Sequence, residues 1–274
     1  MPKQRVLVTV KTYPQLSSKY GETVCTAGIR PDGSWVRIYP VPFRRLGEDE
    51  QYRKYDWLEL DLERNQSDLR PETFRPLPNC DFTPVGHLGT EVCWRERRQA
   101  VLGTCRIYTR LADLIADAKA DVASLALFRP RTVLDLLVEA DEPDWKPARV
   151  ETMRAATQQL DMFADNEWQK TFRLVRKLPY KFSYRFEDED GRKSDLQILD
   201  WEIGALFWNC LRSSGDDAAS AIAKVRQKYL DEFRKTDLHF FMGTTLQFHR
   251  IARNPWLIVG VFQIPFEKQR SLFP

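Results

Sequence analysis

Hydrophobic and polar positions alternate with a period of two at the start of the chain. Val6, Val8 and Val10 fall on one side and Leu7, Thr9 and Lys11 on the other, the signature of a β-strand. Residues 23–29 and 34–39 read as a second and a third strand. Between them, Arg30-Pro31-Asp32-Gly33 carries an Asp-Gly step suited to the positive φ of a tight hairpin. Residues 56–62 make a fourth, with Leu58, Leu60 and Leu62 opposite Trp57, Glu59 and Asp61. Four short strands separated by turn signals predict a small twisted β-domain or barrel.

The period then changes. Pro71, Pro76, Pro78 and Pro84 mark residues 68–84 as an ordered crossover loop. Helices are predicted over 91–102 and 109–119, and residues 132–138 as a strand returning to the first domain. A bridging helix over 148–163 has Val150, Met153, Ala156, Leu160 and Phe163 on one side. Beyond residue 172, Tyr180, Phe182, Tyr184 and Phe186 alternate with Lys181, Ser183 and Arg185, and Asp190-Gly191 supplies a turn. Asp200 is placed to cap a helix whose stripe is Ile203, Leu206, Phe207, Cys210 and Leu211. A second helix carries Ile222, Val225, Tyr229 and Phe233, and strands follow at 238–242 and 256–262. The prediction is an α+β chain in two domains. A β-rich unit spans 1–145, the bridging helix 146–168, and a β-β-α-α-β-β unit 169–274.

A length of 274 residues suits two domains. Charged residues make up 30% with both signs interspersed, for a net charge of +3. That balance excludes a histone-like partner but leaves room for a local basic groove. The five cysteines, Cys25, Cys80, Cys93, Cys105 and Cys210, include no C-x-x-C pair, and His87, His239 and His249 are scattered. Reduced thiols in a cytoplasmic protein are the expectation, with no metal and no cofactor. The N-terminus has no long apolar segment or cleavage site, and no apolar run nears the roughly 20 residues of a membrane span.

Candidate chemistry sits first on the third strand. Trp35, Arg37 and Tyr39 share one face, Val36 and Ile38 the other, and Arg44 and Arg45 follow. Rings that stack on bases beside a guanidinium that pairs with phosphate are what a nucleic-acid platform needs. The alternative is that Trp35 and Tyr39 close one end of the barrel core, with Arg37 flanking them. The run CTAGI…DGSWVRIYPVPFRRL resembles the opening of poorly characterised prokaryotic β-barrel modules. In those, a cysteine-alanine-glycine strand precedes a glycine–tryptophan–arginine strand ending in proline. The resemblance covers residues 5–76. It implies nucleic-acid binding, a setting among mobile-element and defence genes, and a binding face at or near Trp35, Arg37 and Arg44.

Other constellations compete. Lys181 and Arg185 lie opposite four aromatics, so the rings read as a core face and the cations as a phosphate-facing stripe or a solvated edge. Asp188, Glu189, Asp190, Asp195, Asp200 and Glu202 form an acidic cluster, of which Asp195, Asp200 and Glu202 suit a metal-dependent hydrolase. The same acids also serve as a hairpin tip, a helix cap and a first-turn acid. Gly243-Thr244-Thr245 resembles a phosphate-holding turn without P-loop spacing. Cys25 is a nucleophile only if it escapes burial. Trp94, Trp145 and Trp168 would line the interface of a protein-binding scaffold. The leading expectation is a nucleic-acid-binding accessory protein, DNA or RNA, with a protein partner as the further option.

Overall fold

A computed structural model of the chain describes residues 3–17, 21–41, 43, 46–153 and 175–266. The first half is a curled, open half-barrel of eight strands. These are β1 (Gln4–Lys11), β2 (Gln15–Ser17), β3 (Gly21–Ile29), β4 (Trp35–Val41), β5 (Asp56–Leu60), β6 (Leu62–Arg64), β7 (Thr73–Pro76) and β8 (Gly86–His87). Their order is β6-β7-β4-β3-β1-β5-β8, with β2 on β3. Helix α1 (Glu91–Leu102) follows, then β9 (Ile107–Tyr108), α2 (Leu111–Lys119), β10 (Leu125–Phe128) and β11 (Thr132–Ala140). The second half adds β12 (Tyr180–Glu187), β13 (Lys193–Gln197), α3 (Trp201–Ser213), α4 (Ala218–Arg226), β14 (Asp237–Thr244) and β15 (Trp256–Ile264). Its strands form two sheets, β15-β14-β10-β9 and β11-β12-β13. The chain is α+β, and no helix among the described residues is long and apolar enough to cross a membrane.

Both predicted Asp-Gly turns share one geometry. Gly33 (φ 82°) donates its N–H to the Arg30 carbonyl while Arg30 N–H bonds to Ser34. Gly191 (φ 76°) donates to the Asp188 carbonyl while Asp188 N–H bonds to Arg192. The left-handed residue closes a three-residue loop, and glycine takes that conformation without a Cβ clash.

Burial departs from simple alternation in β1. Val6, Leu7, Val8, Thr9 and Val10 are all buried. Val6 and Val8 pack inside the half-barrel with Val36, Ile38, Leu58 and Leu60. Leu7 and Val10 face outward but meet Phe241, Val259, Phe262 and Ile264 of the second half. A half-barrel with a covered outer face has strands that are apolar on both sides, each fully buried aliphatic contributing about 1.5–3 kcal/mol. The sheet β15-β14-β10-β9 is the shared wall. On β14, Phe241 enters this seam while Phe240 and Met242 enter the other core with Phe182, Tyr184, Phe186, Phe207 and Val225.

Two expectations are corrected by strand pairing. Residues 132–138 do not return to the half-barrel; β11 pairs antiparallel with β12, and β9 and β10 join the sheet of β14 and β15. The proline-rich crossover contains β7, which lies between β4 (parallel) and β6 (antiparallel); Pro76 ends the strand, beyond the Thr73 and Phe74 that pair with β4, where a missing N–H is tolerated. The predicted bridging helix is present at 147–153, and the rest of it lies outside the described residues.

Candidate functional site

The outer face of β4 leads from the seam into a broad cavity. Trp35 packs edge-on against Phe241, with ring centroids 6.0 Å apart. Two residues on, Arg37 is 1% exposed. Its guanidinium donates to Ser124 Oγ (2.6 Å), the Ser124 carbonyl (2.8 Å) and Thr73 Oγ1 (3.2 Å). Glu72 accepts from Ser124 N and Oγ at the same crossing. The alternation placed Trp35 and Arg37 on one face, as expected, but that face is covered by the second half. Arg37 ties the two halves together and is removed from any open stacking platform. Tyr39 is the member of the row that reaches open space.

That space is a cleft of about 1060 Å³. From the first half it is lined by Tyr39, Asn65, Asp68 and Arg70, and from the second by Trp145, Arg149, Lys177, Tyr180 and Lys181, with Thr244 and Thr245 at one end of β14. An Asx turn shapes the first wall: Asn65 Oδ1 accepts from Ser67 N and Oγ, and its Nδ2 donates to the Tyr39 carbonyl at 3.1 Å. Arg70 donates to both oxygens of Asp68 (2.9 and 2.5 Å) and to the Thr244 carbonyl. Burial pushes the Asp68 carboxyl up, but the Arg70 bonds outweigh it and hold it below the usual carboxylate range. On the second wall, Trp145 Nε1 donates to the Val175 carbonyl at 2.8 Å, and the Arg149 guanidinium lies 6.0 Å from the Trp145 ring. Lys177 Nζ sits 2.9 Å from Asp141 Oδ2, and Lys181 Nζ is 3.9 Å from Oδ1 of the same carboxylate.

At the β14 end of the cleft, Thr244 Oγ1 lies 2.9 Å from His249 Nδ1, and His249 Nε2 lies 3.1 Å from Asp121 Oδ1. Burial pulls the His249 pKa below its ordinary value, so the ring is neutral at pH 7. The Arg250 bond holds Asp121 below the usual carboxylate range.

A second set of charges crosses the seam, with Lys54 and Asp200 buried and Glu202 reaching solvent. Lys54 Nζ donates to Asp200 Oδ2 (3.3 Å) and Glu202 Oε2 (2.9 Å). Burial alone lowers the Lys54 pKa, yet these carboxylates hold it above the ordinary value. Asp200 also caps α3 through Glu202 N and accepts from Val261 N, both at 3.1 Å. Nearby, Lys11 Nζ stands 4.1 Å over the Phe43 ring and 4.7 Å over Trp201. Burial pulls its pKa down to about 8, against the carboxylate of Glu202.

The acidic cluster is dispersed. Asp195 lies exposed in a two-bond pair with Arg185 (2.9 and 2.7 Å). Asp188 accepts from Leu111 N and so serves the start of α2, besides closing the β12–β13 hairpin. Among the described residues no three His, Cys, Asp or Glu side chains group as metal ligands. Arg185 thus occupies the solvent side of β12, away from the aromatic face, and Lys181 is the residue of that pair that lines the cleft. Cys25 is half-buried on the cleft wall. Trp94 packs on Tyr55 and Phe262 and is no free interface ring. Arg44, Arg45 and Trp168 lie outside the described residues. Sequence reasoning missed Arg70, Asp68, His249 and Asp121. Only Gly243-Thr244-Thr245 had drawn notice, because partners some 120 to 170 residues apart leave no local spacing.

Fold and site together define a two-part α+β protein, a half-barrel clasped to a mixed sheet with a charged, aromatic cleft along the seam. Residues 108–274 match the family model described as Domain of unknown function (DUF8757), and the chain belongs to that family. Residues 2–103 match a second model, Domain of unknown function (DUF8758), so the two meet just before β9. No curated protein matches the chain.

Proposed function

We propose that the protein binds nucleic acid, with the strand seated in the cleft rather than on the outer face of β4. The observation that carries this is the cleft lining. Tyr39 of one half and Lys181 of the other share one cavity of about 1060 Å³ with Trp145, Arg149, Lys177 and Tyr180. Rings alternating with cations are what a single strand requires, stacking contributing about 1–3 kcal/mol per base and each phosphate contact adding salt dependence. The volume stands at the upper end of the roughly 300–1,000 Å³ of ordinary small-ligand pockets, room enough for a nucleotide unit. The likeness of residues 5–76 to nucleic-acid-binding β-barrel modules supports the same reading. A cytoplasmic accessory role in a mobile-element or defence setting follows from it.

Filter binding of single- and double-stranded DNA and RNA at two salt concentrations tests the proposal. The wild-type chain is expected to bind at least one of the four with affinity that falls steeply with salt. Charge reversal at both Arg149 and Lys181 should weaken binding at least tenfold and flatten the salt slope by about 0.7–0.9 per lost contact. Absence of salt-sensitive binding to all four at micromolar protein rejects it.

A further inference from the structure

We propose that Thr244, His249 and Asp121 form a nucleophile, base and positioning residue that cleave a carboxylic ester held in the cleft. This inference concerns chemistry and does not rest on the nucleic-acid reading. The three side chains come from the end of β14, the turn after it and the loop after α2, and they form one chain of contacts at 2.9 and 3.1 Å. Ionised Asp121 can only accept a hydrogen bond, so His249 Nε2 carries the ring proton. Nδ1 is then bare and accepts from the Thr244 hydroxyl. This is the arrangement in which a base is oriented by a third group and faces a hydroxyl nucleophile.

Two further observations point to a ligand. Thr244 and Thr245 both line the cleft while His249 and Asp121 do not, so the threonine stands between the base and a volume able to hold a substrate. Thr245 Oγ1 is buried with no hydrogen-bond partner among the described residues. That hydroxyl has no open surface in this arrangement, so it reaches a developing oxyanion only once the Thr245 side chain turns into the cleft. The turn that carries the imidazole is held by Phe248 N and His249 N, which both donate to the Thr245 carbonyl. Arg149 on the rim suits an ester that also bears an acidic group, while Lys177 and Lys181 already face Asp141.

The step balances without a further reactant except water. Thr244 Oγ bonds to the ester carbonyl carbon as its proton passes to His249 Nδ1. The ester C–O bond breaks, and the leaving alkoxide takes that proton. Water, deprotonated by the same nitrogen, then attacks the acyl carbon; the C–Oγ bond breaks, Thr244 Oγ takes the proton back from His249 Nδ1, and the acid is released.

Diisopropyl fluorophosphate on the intact chain tests the nucleophile, because the Oγ–P bond forms as fluoride leaves. Peptide mapping by mass spectrometry is expected to find one adduct on Thr244. The Thr244→Val chain should carry none, and Thr244→Ser should label again, which separates chemistry from folding. Loss of the base in His249→Gln should slow labelling by about 10²–10⁴-fold while the melting curve still shows a folded chain. The charged groups acting on the imidazole are Asp121, Arg70 and Arg37, with Arg250 on the Asp121 carboxylate. Asp121→Asn should therefore both slow labelling and move its pH midpoint. An unlabelled Thr244 in the wild-type chain overturns the proposal, as does wild-type labelling by folded His249→Gln. An unmoved pH profile in Asp121→Asn removes the positioning role.

Discussion

The seam and the outer face of the β12–β13 hairpin carry similar sequence and opposite physics. On β4, Arg37 shares a face with Trp35 and Tyr39; on β12, Arg185 follows Tyr184 and precedes Phe186 in sequence but lies on the opposite face. The first guanidinium is sealed under the second half and bonded to Ser124 and Thr73. The second is solvated and pairs with Asp195. An arginine among aromatic residues of a strand thus carries no information about exposure until what covers its own face is known. The difference also divides the molecule by energetics. Charges at the seam are desolvated and must keep their partners, while those on the hairpin are screened by water.

The largest effect is expected where a seam charge loses its partner. Lys54→Met leaves Asp200 buried and unpaired, and should destabilise the chain by about 3–5 kcal/mol at neutral pH. A chemical denaturation midpoint lowered at unchanged slope is the readout. Arg37→Met should remove about 2–4 kcal/mol in the same measurement, because one or two buried acceptors at Ser124 lose their donor. Little change in either variant would erase the contrast between the two regions.

A pH experiment sharpens it. Folded Lys11 releases its proton near pH 8, while the unfolded chain holds it to the ordinary lysine value of 10.5. Between those values the unfolded state binds more protons, so this residue makes stability rise with pH. Lys11→Met should lose that rise, seen as the wild-type-minus-variant difference in denaturation midpoint at pH 7.5 and pH 10. The smallest effect belongs to the hairpin. Arg185→Gln should leave the denaturation midpoint in place, and it should lower the salt slope of nucleic-acid binding by about one unit only if that face also meets phosphate. A midpoint that falls as far as in Arg37→Met would show that the hairpin is not the screened region described here.

Local features were legible where a side chain acts on its own backbone. The Asp-Gly turns at Gly33 and Gly191, the Asp200 cap, the stripe on α3 and the leucine face of β5 all depend on neighbours within a few residues. The cleft was legible only in part. Tyr39 and Lys181 carried the signal of a basic-aromatic row, and both line it. Arg70, His249 and Asp121 carried none, and Gly243-Thr244-Thr245 only that of a phosphate-holding turn, because the contacts of Arg70 with Thr244 and of His249 with Asp121 join segments with no fixed spacing.

By itself the sequence determined an α+β chain, most of its strands and helices, and which residues alternate across each strand, except in β1, where a bulge moves Val10 from the side of Val6 and Val8 to that of Leu7. Periodicity records the local preference of a backbone for one side of itself, so those properties survive without knowledge of distant neighbours. Tertiary structure decided which side meets solvent. The docking of the β14–β15 sheet turned the outer face of β1 and β4 into core, converted Arg37 from surface cation to buried tie, and opened the cleft at the end of that contact. A strand cannot encode which sheet will cover it, because that is settled by complementary surfaces brought together from far along the chain.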